Sequence, residues 1–318
     1  MSLTSPQAIT SAADAFVTRQ AASNVVYTEV RFSPHLLTTS DPDSKFLPTL
    51  TPRQVTDAVI AGLKVGCKRE RVHVNVILCC ITWHPEWADS VVDLALEYKL
   101  EQAARFDVKK KSWADHVHRC NLHSAYYHGQ VVGVDIAAGE EHFFKDEFPA
   151  LHRPHLAAMV RAHEEGIKIA LHAGEVTSSV EVTAAVDDYK ASRIGHGYRA
   201  VEEGGVGLKY CVARGVHVEV CPTSSYETGG WRGEASEKSD WRRHPMLEMM
   251  EGGASVGINS DDPAVFNTSL NGEFEIVHRD MGVSVDRMRK SVRDSLEAAF
   301  LGENRGEALR EMLRQRIS

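Results

Sequence analysis

The chain has 318 residues, 43% of them hydrophobic, which is enough for one large domain with a sizeable buried core. Its formal charge of −8 repels nucleic acid and anionic membranes, so neither is expected as the main partner. No basic leader with an apolar core precedes Thr18, and no apolar run is long enough for a membrane span.

Short apolar runs alternate with longer amphipathic stretches. The sequence predicts strands over 24–32, 72–81, 131–138, 167–173, 193–198, 216–222 and 254–260. These runs are rich in Val and Ile and mostly apolar throughout, as in a parallel sheet covered on both faces. Thr51-Pro52 predicts a helix cap with Pro at the first helical position, followed by Val55, Val59 and Leu63 on one face. Further helices are expected over 86–104, 154–165, 179–190, 202–214, 242–251, 284–300 and 304–316. Repeated strand–helix units imply right-handed parallel crossovers, in a doubly wound sheet or a barrel. Residues 103–130 carry a basic run, then four His and two Tyr, with neither period, and are expected to be an inserted loop in a single domain spanning 1–318. The six cysteines form no C-x-x-C pair and lie mostly in apolar runs, which suggests reduced core thiols and a cytoplasmic setting.

Polar residues gather where predicted strands end. His172 opens His172-Ala173-Gly174-Glu175, His196 lies in Arg193-Ile194-Gly195-His196-Gly197-Tyr198, and Asp261-Asp262 closes Val256-Gly257-Ile258-Asn259-Ser260. The carboxyl ends of barrel strands converge on one mouth, so three strands deliver His, Glu and Asp to one place. Such groups bind Zn²⁺ well, and a Glu that is not a ligand can move protons. Taken singly, His172 also reads as a core histidine, Gly195-His196-Gly197 as a tight turn and Asp261-Asp262-Pro263 as a cap. Their shared position at successive strand ends favours the chemical reading.

These residues resemble adenosine deaminase, within the amidohydrolase superfamily. The likeness extends through Tyr27–His35, Gly133–Glu140, His172–Glu175, Arg193–Tyr198, Glu219–Ser225, Asn259–Phe266 and Arg279–Gly282 in order, covering 13–102 and 131–316. It implies a (β/α)8 TIM-barrel fold and one Zn²⁺ per subunit, ligated by His172 and Asp261. Glu175 would protonate purine N1, and His196 would orient or deprotonate the metal-bound water. Asp262 would meet N7 and the Gly139 N–H would meet N3. The expected reaction is deamination of adenosine or 2'-deoxyadenosine to inosine or 2'-deoxyinosine plus ammonia, in purine nucleoside metabolism, with a small-molecule purine nucleoside as the partner. The cytidine-deaminase signature Pro-Cys-x-x-Cys is absent.

Family members open with a strand ending in His-x-His, followed by an Asp. This chain begins near the second strand, so about seven of eight strands and a zinc site short of two His are expected. Asp115-His116-Val117-His118 has the same spelling, but its flanks are not a buried strand and it enters between the runs at 72–81 and 131–138. An impaired deaminase-like chain, or the product of a faulty gene model acting at most as an interaction partner, is one alternative. A related adenine, AMP or N6-methyl-AMP deaminase is another, although no basic cradle for a phosphate lies near the motifs.

Overall fold

A computed structural model describes residues 5–38, 50–113, 129–140, 149–231, 240–301 and 306–317. It contains a parallel sheet of seven strands in chain order: β1 (Tyr27–Phe32), β2 (His73–Ile81), β3 (Val131–Ala137), β4 (Lys168–Ala173), β5 (Arg193–His196), β6 (His217–Val220) and β7 (Ser255–Ile258). Every expected strand is present, trimmed at its ends. Helices α1 (Pro6–Ala22), α2 (Pro52–Glu70), α3 (Ala88–Trp113), α4 (Pro149–Glu164), α5 (Ser179–Asp187), α6 (Val206–Arg214), α7 (Pro222–Glu227), α8 (Pro245–Glu251), α9 (Leu270–Glu275), α10 (Val285–Ala298) and α11 (Gly306–Ile317) surround it.

Thr51 caps α2 as expected. Its hydroxyl accepts from Gln54 N at 3.2 Å, and Gln54 returns the bond to Thr51 N at 2.9 Å. Two expectations need correction. Helix α1 is absent from the sequence-based assignment, although Ser5-Pro6 starts it in the same way, with the Ser5 hydroxyl accepting from Ala8 N. Residues 103–113, expected to be irregular, continue α3. The His-x-His at 116–118 lies outside the described residues.

The core lies between the helices and the outer face of the sheet. Val74, Val76, Leu78 and Cys80 of β2 alternate outward onto Val55, Val59 and Leu63 of α2 and Val91 and Ala95 of α3. The inner face holds the opposite parity, and there the chain places charge. Arg31 on β1 donates to Asp135 on β3 at 2.8 Å and to Glu219 on β6. Arg193 on β5 reaches Glu29 on β1 at 2.6 Å and Glu219 at 3.0 Å. Contacts between the first and sixth strands are possible only if the sheet is curled, as in a (β/α)8 TIM barrel.

Phe300, just beyond α10, fills the amino-terminal end of this interior. It packs with Ile77 and Ala170, lies 3.7 Å under the Arg193 guanidinium, and donates its N–H to Glu29 at 2.5 Å. The five described cysteines are buried and free. No helix among the described residues is long and apolar enough to cross a membrane.

Arg193→Ala is expected to cost about 3–5 kcal/mol of unfolding free energy, because the buried Glu29 loses its cation and Glu219 keeps only Arg31. Equilibrium urea unfolding measures it, and a loss below about 1 kcal/mol, the size of a surface ion pair, would mean the network does not hold the curl.

Candidate active site

The carboxyl ends of the strands carry the groups expected there. His172 is near the end of β4, and Glu175 lies in the turn after it. His196 ends β5, Gly139 follows β3, and Asp261 and Asp262 follow β7. The structure brings His172, Glu175, His196 and Asp261 to one mouth. The His172 and His196 rings are 5.0 Å apart between centroids, and His196 Nε2 lies 3.7 Å from Glu175 Oε2 and 3.9 Å from Asp261 Oδ2.

Each group is held from behind. His172 Nδ1 faces both oxygens of the fully buried Asp135, at 3.1 and 3.2 Å. Burial alone would lower the His172 pKa, but the Asp135 charge and hydrogen bond raise it to about 9. With Nδ1 engaged, Nε2 is the nitrogen left for a metal ion, the arrangement of a carboxylate–histidine–metal triad. A metal must displace the extra proton to bind.

His196 Nδ1 lies 3.4 Å from the Tyr198 hydroxyl. That hydroxyl donates to Cys221 O at 3.1 Å and accepts from Cys221 N at 3.1 Å. Its proton is thus committed, so the contact with His196 requires Nδ1 to donate. Nε2 is then the nitrogen that faces Glu175 and Asp261. Asp261 Oδ2 accepts from Ser224 Oγ at 2.7 Å, and Glu175 Oε1 accepts from Thr228 Oγ1 at 2.8 Å.

Backbone strain collects at the same strand ends. Ala138, His196 and Asp261 take φ of +67°, +69° and +51°, a region L-residues enter at a cost of about 1–3 kcal/mol each. Gly139 has φ +69°, and a Cβ there would fall 2.6 Å from the Trp83 ring, so only glycine fits. Asp262 has its pKa raised by burial and by the neighbouring Asp261 charge.

The donor set suits zinc. His196, Cys221 and Asp261 offer a nitrogen, a sulfur and an oxygen within 4.8 Å of one another, the one such group found among the described residues. His172 stands beside that set with its ring held by Asp135. Sequence reasoning misses Cys221 as part of it, and Asp135, Tyr198, Ser224 and Thr228 as supports. Asp135 and Arg31 carry one signal: ionisable residues inside apolar runs, at inward parity.

Acid is expected to destabilise the fold through its buried groups. Burial lowers His217 to about 4 and His244 to about 3, so both stay neutral in the folded chain while the unfolded chain takes up protons near 6.5. Burial opposes ionisation of Glu219, yet Arg31 and Arg193 outweigh it and hold the carboxyl at about 2 against an ordinary 4.5. In all three cases the unfolded state binds more protons, so stability present above pH 6.5 falls from there toward pH 4 and 3, and again below 4.5. Urea midpoints that stay level between about pH 7 and pH 4 would contradict this.

A family model described as Adenosine deaminase matches the chain over residues 2–128 and 100–316. The two matches overlap across 100–128, where the sequence pattern breaks. The chain is 31% identical over 311 residues to adenosine deaminase of Rattus norvegicus, covering 96% of this chain and 77% of that protein. Among solved structures it resembles an amidohydrolase from Burkholderia ambifaria with bound Zn, at TM-score 0.75 and 19% identity, covering 99% of this chain and 74% of that one. It also resembles the N6-methyl-AMP deaminase of Arabidopsis thaliana, at TM-score 0.72 and 24% identity, covering 99% and 79%. At those identities the two structural likenesses speak to fold.

Proposed function

The chain belongs to the adenosine deaminase family of deaminase hydrolases, and we propose that it removes the 6-amino group of adenosine or 2'-deoxyadenosine, giving inosine or 2'-deoxyinosine and ammonia. The observation that carries this reading is the approach of His196 Nε2 to both Glu175 and Asp261, beside His172, at one barrel mouth. The curated relatives named as adenosine deaminases favour the nucleoside over the nucleobase or nucleotide.

His172 and Asp261 would hold Zn²⁺, with His196 and Cys221 adjoining. A zinc ion held there would supply Lewis acidity to activate water. The chain's own groups do the rest. Glu175 donates a proton to purine N1, which makes C6 electrophilic at the cost of ring aromaticity. His196 Nε2, turned toward the mouth by the Tyr198 contact at Nδ1, accepts the proton of the attacking water and passes it toward the departing amine. Asp262 hydrogen-bonds N7, and the Gly139 N–H, presented by its positive φ, donates to N3. The proton left on the C6 oxygen returns to Glu175 as the C6–N bond breaks, so one water and one nucleoside are consumed for each ammonia and each inosine formed. The buried free thiols agree with a reducing, cytoplasmic setting.

Ammonia release from adenosine, with zinc content measured on the same sample, tests the proposal. Adenine, AMP and N6-methyl-AMP run alongside decide the substrate. Glu175→Gln is expected to lower turnover by roughly 10²–10⁴-fold while zinc stays bound, because the group is an acid and not a ligand. Asp262→Ala is expected to raise KM more than it lowers kcat. Folded, zinc-supplied protein that releases no ammonia from any of these substrates would favour a non-catalytic role instead.

A further inference from the structure

Glu140 is the residue after Gly139 and has no cation partner among the contacts described, yet only 6% of it is exposed. Its carboxylate is filled by the turn that carries Glu175. Oε2 accepts from Glu175 N and Val176 N, both at 2.9 Å, and Oε1 accepts from Gly174 N and from Thr177 Oγ1 at 2.8 Å. Three successive backbone N–H groups converging on one anion form a nest, and Gly174 permits it by taking φ +70°. These hydrogen bonds join a buried carboxyl to one buried donor, Gly174 N, and three half-buried ones, a class in which losing the acceptor is costly.

We propose that Glu140 is the positioning residue for Glu175: its carboxylate locks the 174–177 turn so that Glu175 points across the mouth at His196. Geometry decides this. Without the anion, the buried Gly174 N–H and the half-buried Glu175 N–H would lose this acceptor, and the turn would open to find others. The Glu175 side chain has one further hold, the Thr228 hydroxyl, which fixes a single oxygen and not the backbone. The placement also couples two ends of the substrate. Gly139, assigned to purine N3, and Glu140, which aims the acid for N1, are consecutive residues at the end of β3. Thr82 pins that end by donating to Ala138 O. A displacement of β3 would therefore shift both contacts together.

This inference rests on the reading of Glu175 as the acid, and its test separates the two. Full-length, zinc-loaded wild type, Glu140→Gln, Glu140→Asp and Glu175→Gln are compared for kcat, KM and zinc content. Backbone amide shifts and exchange of residues 174–176 are followed by NMR. Gln sets a donor against the nest, so kcat is expected to fall on the order of a hundredfold with KM and zinc nearly unchanged. The amides of 174–176 should lose protection while those of β4 keep theirs. Asp, which restores the charge on a shorter arm, should recover part of both. Unchanged kcat in Glu140→Gln, or unchanged 174–176 amides, overturns the proposal, as does a loss that merely follows zinc or the folded fraction. If Glu140→Gln fails to fold, Glu140→Asp decides the matter by the same readouts. Should Glu175→Gln keep turnover, or wild type release no ammonia, the acid assignment fails; the amide readout still judges the hold of Glu140 on the turn.

Discussion

The structure depends on how Arg31 satisfies two carboxylates from opposite sides of a curled sheet. An isolated charge in that interior would cost several kcal/mol, so no member is stable there alone. Glu29, Asp135 and Glu219 bring three negative charges, and Arg31 and Arg193 bring two positive ones. The sum is −1. His172 adds a positive charge where it faces Asp135, whose charge raises the His172 pKa to about 9. The interior is therefore short of positive charge at the height of the mouth, where Asp261, Glu175 and Glu140 add carboxylates. A divalent cation meets that deficit better than a single proton does. The same arginines that close the curl thus help set the electrostatics of the site above them.

The fold is legible in the sequence because the strands are buried on both faces. Runs such as Val72–Ile81 lack the alternation of a half-exposed strand, and their order with helices leaves few topologies. The strands end earlier than their apolar runs suggest, for a physical reason: at His196 and Gly197 the chain turns through positive φ, which an apolar run does not announce. Helix α1 escapes the sequence reading although it carries the same Ser/Thr-Pro start as α2. Residues 103–113 lack an apolar stripe, yet they continue a helix already nucleated and packed upstream, where extension costs little.

The candidate site is partly legible because the reacting groups belong to short motifs. His-Ala-Gly-Glu and Ser-Asp-Asp keep their chemistry together along the chain. Their supports do not. Glu140 meets its turn across 34–37 positions, Ser224 meets Asp261 across 37, and Arg31 meets Glu219 across 188. Glu, Ser and Arg are ordinary residues, and nothing marks one as a support until the partner is seen. Parity is the recoverable clue. Glu29, Arg31, Asp135, Arg193 and Glu219 all fall on the face opposite the apolar core, and register then stacks them into one interior.

Strain and support are paired at the mouth. Ala138, His196 and Asp261 each occupy a costly backbone region, and each is held by a side chain from nearby in the fold: Thr82 on Ala138 O, Tyr198 on His196 Nδ1, Ser224 on Asp261 Oδ2. One hydrogen bond of about 1 kcal/mol does not offset such strain alone. What maintains it is the parallel sheet below, which fixes where each strand stops and leaves the next residue little choice of direction. The strained residues then present an N–H, a ring nitrogen or a carboxylate into the mouth at angles regular strand geometry would turn away. That explains why the chemical groups sit one step past the ladder, and why the supports come from the neighbouring loops. The ladder supplies rigidity, the positive φ supplies direction, and the hydroxyls and Glu140 select one orientation among those that remain.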